Sequence, residues 1–181
     1  MGGEWRSRRL PIIDAPGLRP TSDRVRETLF NWLQGHVQGA VCLDAFAGSG
    51  ALGFEALSRG AAKVVWVERQ VAAARQLQES IELLKPERES AELITGDVLG
   101  YLNAVEGAAF DLVFLDPPFR QGLVSQVLDA LMSAQCLAAN ALVYLEHESE
   151  ISFDWAQWNL IAKKEQCSGQ VTGWLLSAER V

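Results

Sequence analysis

Four consecutive residues, Asp116-Pro117-Pro118-Phe119, combine a carboxylate, two rings without a backbone N–H, and an aromatic face. Such a turn offers hydrogen-bond acceptors with no competing donors. An exocyclic nucleobase amine is a poor nucleophile because its lone pair is delocalised into the ring. The Asp116 carboxylate and the Pro117 carbonyl can accept its two N–H bonds and favour a geometry that frees the lone pair. Pro118 and Phe119 then line the substrate side, Phe119 as a flat surface for a base drawn out of its stack. The chemistry expected here is attack by a base amine on an electrophile, with Asp116, Pro117 and Phe119 as the catalytic candidates.

Between 63 and 68 residues upstream of Asp116, Gly48, Gly50 and Gly53 satisfy G-x-G-x-x-G within DAFAGSGALG, residues 44 to 53. Glycines in such a turn let the backbone bend sharply and approach an adenosine-containing ligand at the start of a helix. Asp44, four residues before Gly48, discriminates among ligands of this kind. A carboxylate there repels a dinucleotide pyrophosphate and attracts an ammonium, which S-adenosylmethionine carries beside a cationic sulfonium. Glu68 ends the next apolar run and can accept from both ribose hydroxyls. Asp97, in TGDV, can hold an adenine amino group or cap a helix, and the Val98 N–H can reach a ring nitrogen. Phe46 and Arg69 complete the expected cofactor set, with Asp116 at its edge.

The pairing of D-x-F-x-G-x-G with D-P-P-F resembles the class I S-adenosylmethionine-dependent methyltransferases that act on exocyclic amines. The stretches GGEWRSRRL and GLRPTSDRVRETLFNWL narrow the likeness to the bacterial 16S rRNA guanine-N2 methyltransferases. The motifs span residues 2 to 120 and the layout spans the chain. The resemblance implies that Asp44, Gly48, Gly50, Glu68 and Asp97 bind the methyl donor and that residues 116 to 119 meet the target guanine. The partner it implies is 16S rRNA, within a 30S subunit or assembly intermediate, met by a monomer in the cytoplasm. Similar proteins carry a further short strand before G-G-x-W-R, so the resemblance also raises the expectation of a truncated N-terminus.

These residues need a scaffold that brings strand ends together. Apolar runs at 40–46, 63–68, 91–95, 111–116 and 141–147 alternate with amphipathic stretches such as Ala73, Leu77, Ile81, Leu84 and Val124, Val127, Leu128, Leu131. That rhythm predicts βα units, hence a Rossmann-like α/β domain with helices on both faces of a mostly parallel sheet. NLIAKKEQ and VTGWLLSA, joined by CSGQ, predict a C-terminal antiparallel hairpin as strands six and seven. A helix over 21–35 is expected from the Thr21 or Ser22 cap and the stripe Val25, Leu29, Trp32, Leu33. One domain over 1–181 is expected, with a basic arm at 1–20 and the core at 40–181.

The chain carries a formal charge of −7, which argues against a general polyanion binder. Its first 30 residues nevertheless hold six arginines against four acids. Arg8, Arg9, Arg19 and Arg24 are therefore the expected phosphate contacts, Trp5 among them a candidate RNA contact, and the Thr21–Arg24 region a closure over the methionine end of the cofactor. Three dispersed cysteines and two lone histidines offer no metal-ligand spacing, and Cys42 reads as a small buried hydrophobe. The N-terminus lacks a secretory apolar stretch, and no long apolar run suggests a membrane span. Three rival readings stay open at this point. D-P-P-F also serves adenine N6 or cytosine N4 methylation in DNA, the glycine motif alone also fits a dinucleotide oxidoreductase, and the fold also suits a silent RNA-binding assembly factor.

Overall fold

Val64-Val65-Trp66-Val67 is buried at every position and so has no polar face to turn to water, the signature of a strand inside a parallel sheet covered on both sides. The computed structural model describes residues 2–5, 23–87, 89–107 and 110–178. In it the strands are β1 (Val41–Asp44), β2 (Lys63–Glu68), β3 (Ala91–Thr95), β4 (Phe110–Leu115), β5 (Leu137–Glu148), β6 (Leu160–Ser168) and β7 (Val171–Ala178). They form one seven-stranded sheet in the order β3-β2-β1-β4-β5-β7-β6. The first five are parallel, and β7 and β6 close the edge antiparallel. This is the Rossmann-like class I arrangement expected from the sequence, its C-terminal hairpin included.

Helices α1 (Asp23–Trp32), α2 (Ala51–Ser58) and α3 (Val71–Leu84) cover one face; α4 (Val98–Ala104) and α5 (Leu123–Ser133) cover the other. Strand alternation sorts the core accordingly. Cys42, Val64, Trp66, Leu112, Phe114 and Tyr144 meet the first group, while Leu43, Val65, Val67, Val113, Leu115 and Val143 meet the second. Cys42 is wholly buried and its thiol is pushed upward in pKa by that burial, as a packing residue.

Several boundaries differ from the sequence reading, among them the end of β1 at Asp44 rather than at 46 and two larger cases. β5 starts at Leu137, ahead of the apolar run at 141, because Phe110 pairs with Leu137 across an irregularity between Phe110 and Leu112. α1 ends at Trp32, and Leu33 to His36 continue as turns rather than helix.

A larger difference concerns Trp5. The 3₁₀ turn Gly3–Trp5 lies against α2: Trp5 N–H donates to Ser58 Oγ at 2.8 Å, Gly2 N–H donates to Glu55 Oε1 at 2.9 Å, and the Trp5 ring meets Phe54 edge-on at 6.3 Å. Trp5, the candidate RNA contact, is thus half-buried and packs against the first core.

Candidate active site

The four carboxylates Glu68, Asp44, Asp116 and Glu146 stand at the carboxyl ends of four adjacent parallel strands, β2, β1, β4 and β5 respectively. Asp44 pairs with Trp66 on one side and Phe114 on the other, and Phe114 pairs with Tyr144. Glu68, Asp116 and Glu146 each lie two residues beyond those partners, so they share one level while Asp44 sits about 7 Å deeper along the strand direction. The crevice outside the strand ends is where open α/β sheets bind ligands.

Asp44 is 3% exposed, and its Oδ2 accepts the Gly53 N–H at 3.1 Å. Burial raises its pKa from 3.8 to about 7; the Gly53 bond pulls it down and the neighbouring Glu68 charge pushes it up. Glu68, also buried, accepts Gly48 N–H on Oε2 and Gln70 N–H on Oε1, both at 2.7 Å, and so fixes the glycine loop over the end of β2. With two bonds accepted, a carboxylate retains capacity for two more, the number a ribose diol requires. Gly50 holds φ 74, and a Cβ on Gly53 would stand 2.2 Å from Trp66 Nε1. The turn therefore needs a left-handed residue, and α2 needs a bare backbone against β2. Phe46 is half-buried against the second core and Arg69 is exposed.

Asp97 caps α4, accepting the Gly100 N–H at 3.2 Å, and is exposed, whereas the Val98 side chain is buried. The capping role foreseen for Asp97 is present. At the end of β4, Asp116 is half-exposed, Pro117 buried, Pro118 exposed and Phe119 half-buried. The turn is anchored behind Phe119, where the Arg120 N–H donates to Glu148 Oε1. Arg24 is exposed on α1; Arg26 is held by Asp23 at 2.6 Å and faces buried Glu55 at 3.8 Å, which makes it a structural arginine rather than a solvated one. Thr21, Arg8, Arg9 and Arg19 lie outside the described residues.

The donor set fits the methyl donor inferred from sequence. Among the described residues no Lys or Arg comes within ion-pair distance of Asp44 or Glu68, so two adjacent buried carboxylates gain from a cationic ligand and oppose a phosphate. Among the described residues no group of three His, Cys, Asp or Glu is placed to hold a metal ion, and no helix is long and apolar enough to cross a membrane.

Residues 1–176 match the model of the family described as conserved hypothetical protein 95. The chain belongs to this family. Its relatives include the ribosomal RNA small subunit methyltransferase D of Escherichia coli K12, 45% identical over 171 residues, which cover 94% of this chain and 85% of the relative. The protein of the same name from Haemophilus influenzae is 44% identical, with 95% and 89% covered. The solved structure of Escherichia coli yhhF superposes with a TM-score of 0.87 at 44% identity, covering 99% of this chain and 96% of that one. The resemblance drawn from the two motifs is thereby borne out at the level of the family and its methyltransferase fold.

Three features of this family member escape sequence reading. Tyr144 donates to Glu146 Oε1 at 2.7 Å, both buried at the end of β5, and burial with the Glu146 charge pushes the phenol upward in pKa so that it stays a donor. Trp174 Nε1–H donates to His147 Nε2 at 2.9 Å, which leaves the His147 proton on Nδ1, 2.7 Å from the Glu148 carbonyl. Phe153 and Trp155 stack at 5.2 Å beside that histidine. The signal for the first was the alternation Tyr144, Glu146 in ALVYLEHE; the second depends on the pairing of His147 with Trp174, 27 positions on, which left no local mark.

Proposed function

We propose that this protein methylates the exocyclic N2 amine of a guanine in small-subunit 16S rRNA, using S-adenosylmethionine. The observation that carries the reading is the adjacency of two half-sites on one sheet. Buried carboxylates suited to a cation lie at the ends of β1 and β2, and an acceptor turn suited to an amine lies at the end of β4. The names of relatives at 44–45% identity support rRNA of the small subunit as the substrate.

When bound, S-adenosylmethionine supplies a sulfonium methyl as the electrophile. Asp44 holds the ammonium end, Glu68 the ribose hydroxyls, and Asp97 with the Val98 N–H the adenine; Phe46, Gly48, Gly50, Arg69 and Thr21 complete that half of the site. Asp116 and the Pro117 carbonyl orient the base amine, Asp116 accepts the proton it must lose, and Pro118 and Phe119 support the base plane. The residues supply alignment and electrostatics, with no covalent bond to the enzyme. Arg8, Arg9, Arg19 and Arg24 grip phosphates of the RNA, offsetting the acidity of the rest of the chain. The enzyme works as a single domain and a monomer, in the cytoplasm, on a 30S particle or its assembly intermediate.

The test is transfer of radiolabelled methyl to free 16S rRNA and to 30S particles from a strain lacking the protein, followed by nucleoside analysis. N2-methylguanosine is the expected product. Label in N6-methyladenosine or N4-methylcytidine, or no transfer to either substrate, overturns the proposal.

A further inference from the structure

Glu146 is 7% exposed, at the carboxyl end of β5, two residues past the tyrosine that holds it. The register of β4 and β5 ends on the pair Leu115 and Leu145, so Asp116, the first residue past β4, and Glu146 each follow directly on that pair. Phe114 and Tyr144 face the same core, and the two-residue period carries Asp116 and Glu146 to that face as well. The Tyr144 phenol is influenced by both carboxylates. A carboxylate offers about four acceptor sites, so the bond from Tyr144 does not by itself exhaust Glu146, and its place beside Asp116 puts it within reach of a base held by that turn.

Guanine presents three donors on one edge: the two hydrogens of N2 and the ring N1–H. Asp116 and the Pro117 carbonyl account for the N2 hydrogens. The N1–H then enters the site without a partner, and a buried donor left unmade is strongly disfavoured. Adenine and cytosine differ at this atom, because the ring nitrogen beside their amine is itself an acceptor and opposes a carboxylate. One more acceptor, level with Asp116 and displaced toward β5, therefore distinguishes guanine from both.

We propose that Glu146 is the specificity-determining residue, its carboxylate held by Tyr144 and accepting the guanine N1–H beside the Asp116-Pro117 turn. Tyr144 is a positioning residue that acts through Glu146. The inference rests on the guanine-N2 reading above.

The experiment uses 2-aminopurine, which keeps the N2 amine but has an unprotonated N1. Small-subunit rRNA carrying guanine or 2-aminopurine at the position the wild-type enzyme methylates is assembled into particles, and kcat/KM is measured for both bases. Wild-type enzyme is expected to favour guanine. In Glu146→Gln the ratio should shift toward 2-aminopurine by about 10- to 100-fold, since the amide can donate to N1 where the carboxylate could not. Any intrinsic difference between the two bases cancels when the ratios are compared. Tyr144→Phe and Glu146→Asp should move the ratio in the same direction by less, and they carry the test if Glu146→Gln does not fold. An equal loss on both bases in every folded variant, or no wild-type preference, overturns the assignment of Glu146. Absence of N2-methylguanosine from the wild-type reaction is a different result and overturns the guanine-N2 reading itself.

Discussion

Asp44 is tied to the first turn of the helix that follows it: the Gly53 N–H donates to Asp44 Oδ2 at 3.1 Å, so the residue assigned to the cationic end of the methyl donor also holds α2 against β1. Its pKa of about 7 makes that assignment pH-dependent. Below pH 7 the group is protonated, and a cation must displace the proton to bind. Affinity for S-adenosylmethionine should be full above pH 7 and fall as pH drops through 7, approaching tenfold per unit. Calorimetry across about pH 5.5 to 8 checks this. Asp44→Asn should bind more weakly with a flat profile, and a flat wild-type profile contradicts the assignment.

The same residue predicts a stability effect of opposite sense. Its folded pKa, about 7, lies above the ordinary aspartate value of 3.8, so the folded state binds the extra proton between those limits and loses stability as pH rises through them. Without ligand, Asp44→Asn should therefore stabilise the protein near pH 8 by about 2–4 kcal/mol, several degrees in Tm, and give no such gain near pH 4. Thermal unfolding at the two pH values tests the sign.

Asp116→Ala should lower methyl transfer about 10²- to 10⁴-fold with cofactor affinity nearly intact, as expected when a positioned acceptor acts in the transition state. Phe119→Ala should instead weaken substrate binding. Single-turnover transfer and separate cofactor titration distinguish the two, and near-normal turnover by Asp116→Ala would count against the amine-positioning role.

Trp5→Ala should behave as a core mutation. Removing the ring packed on Phe54 should cost about 1–3 kcal/mol in denaturant unfolding and leave the salt dependence of RNA binding unchanged. Replacing Arg8 and Arg9 with Ala should do the reverse, preserving stability while reducing the salt slope by about one unit for each phosphate that the two arginines no longer neutralise. Equal salt slopes in the double variant and the wild type would remove the arm from the binding site.

The amino-acid sequence locates β2 and β3 to the residue, because their apolar runs end where the strands end. The places of the glycine loop after β1 and the D-P-P-F turn after β4 are legible for a related reason: each is written in contiguous residues that follow an apolar run. Trp5 is misleading in sequence because an aromatic among arginines looks identical whether it meets RNA or Phe54, 49 positions on; only the docking of the 3₁₀ turn on α2 separates the cases. The Leu137-Ala138-Ala139-Asn140 extension of β5 follows from its partner on β4, not from its own propensity. Glu146 looks like an ordinary strand charge because the residue that gives it its proposed role, Asp116, lies on another strand's end, 30 positions earlier.

The strand order has a consequence for how such an enzyme can change. β1 and β2 carry the acids assigned to the methyl donor, β4 and β5 those assigned to the base, and the divide runs between two adjacent central strands, β1 and β4. Each pair draws its side chains from its own strands and has its own anchor, Gly53 and Gly48 on one side, Glu148 and Tyr144 on the other. A lineage can thus exchange one target base for another by altering the last residues of two strands, while the half that reads the donor stays untouched. On that assignment the sheet is a fixed donor socket beside an interchangeable acceptor socket.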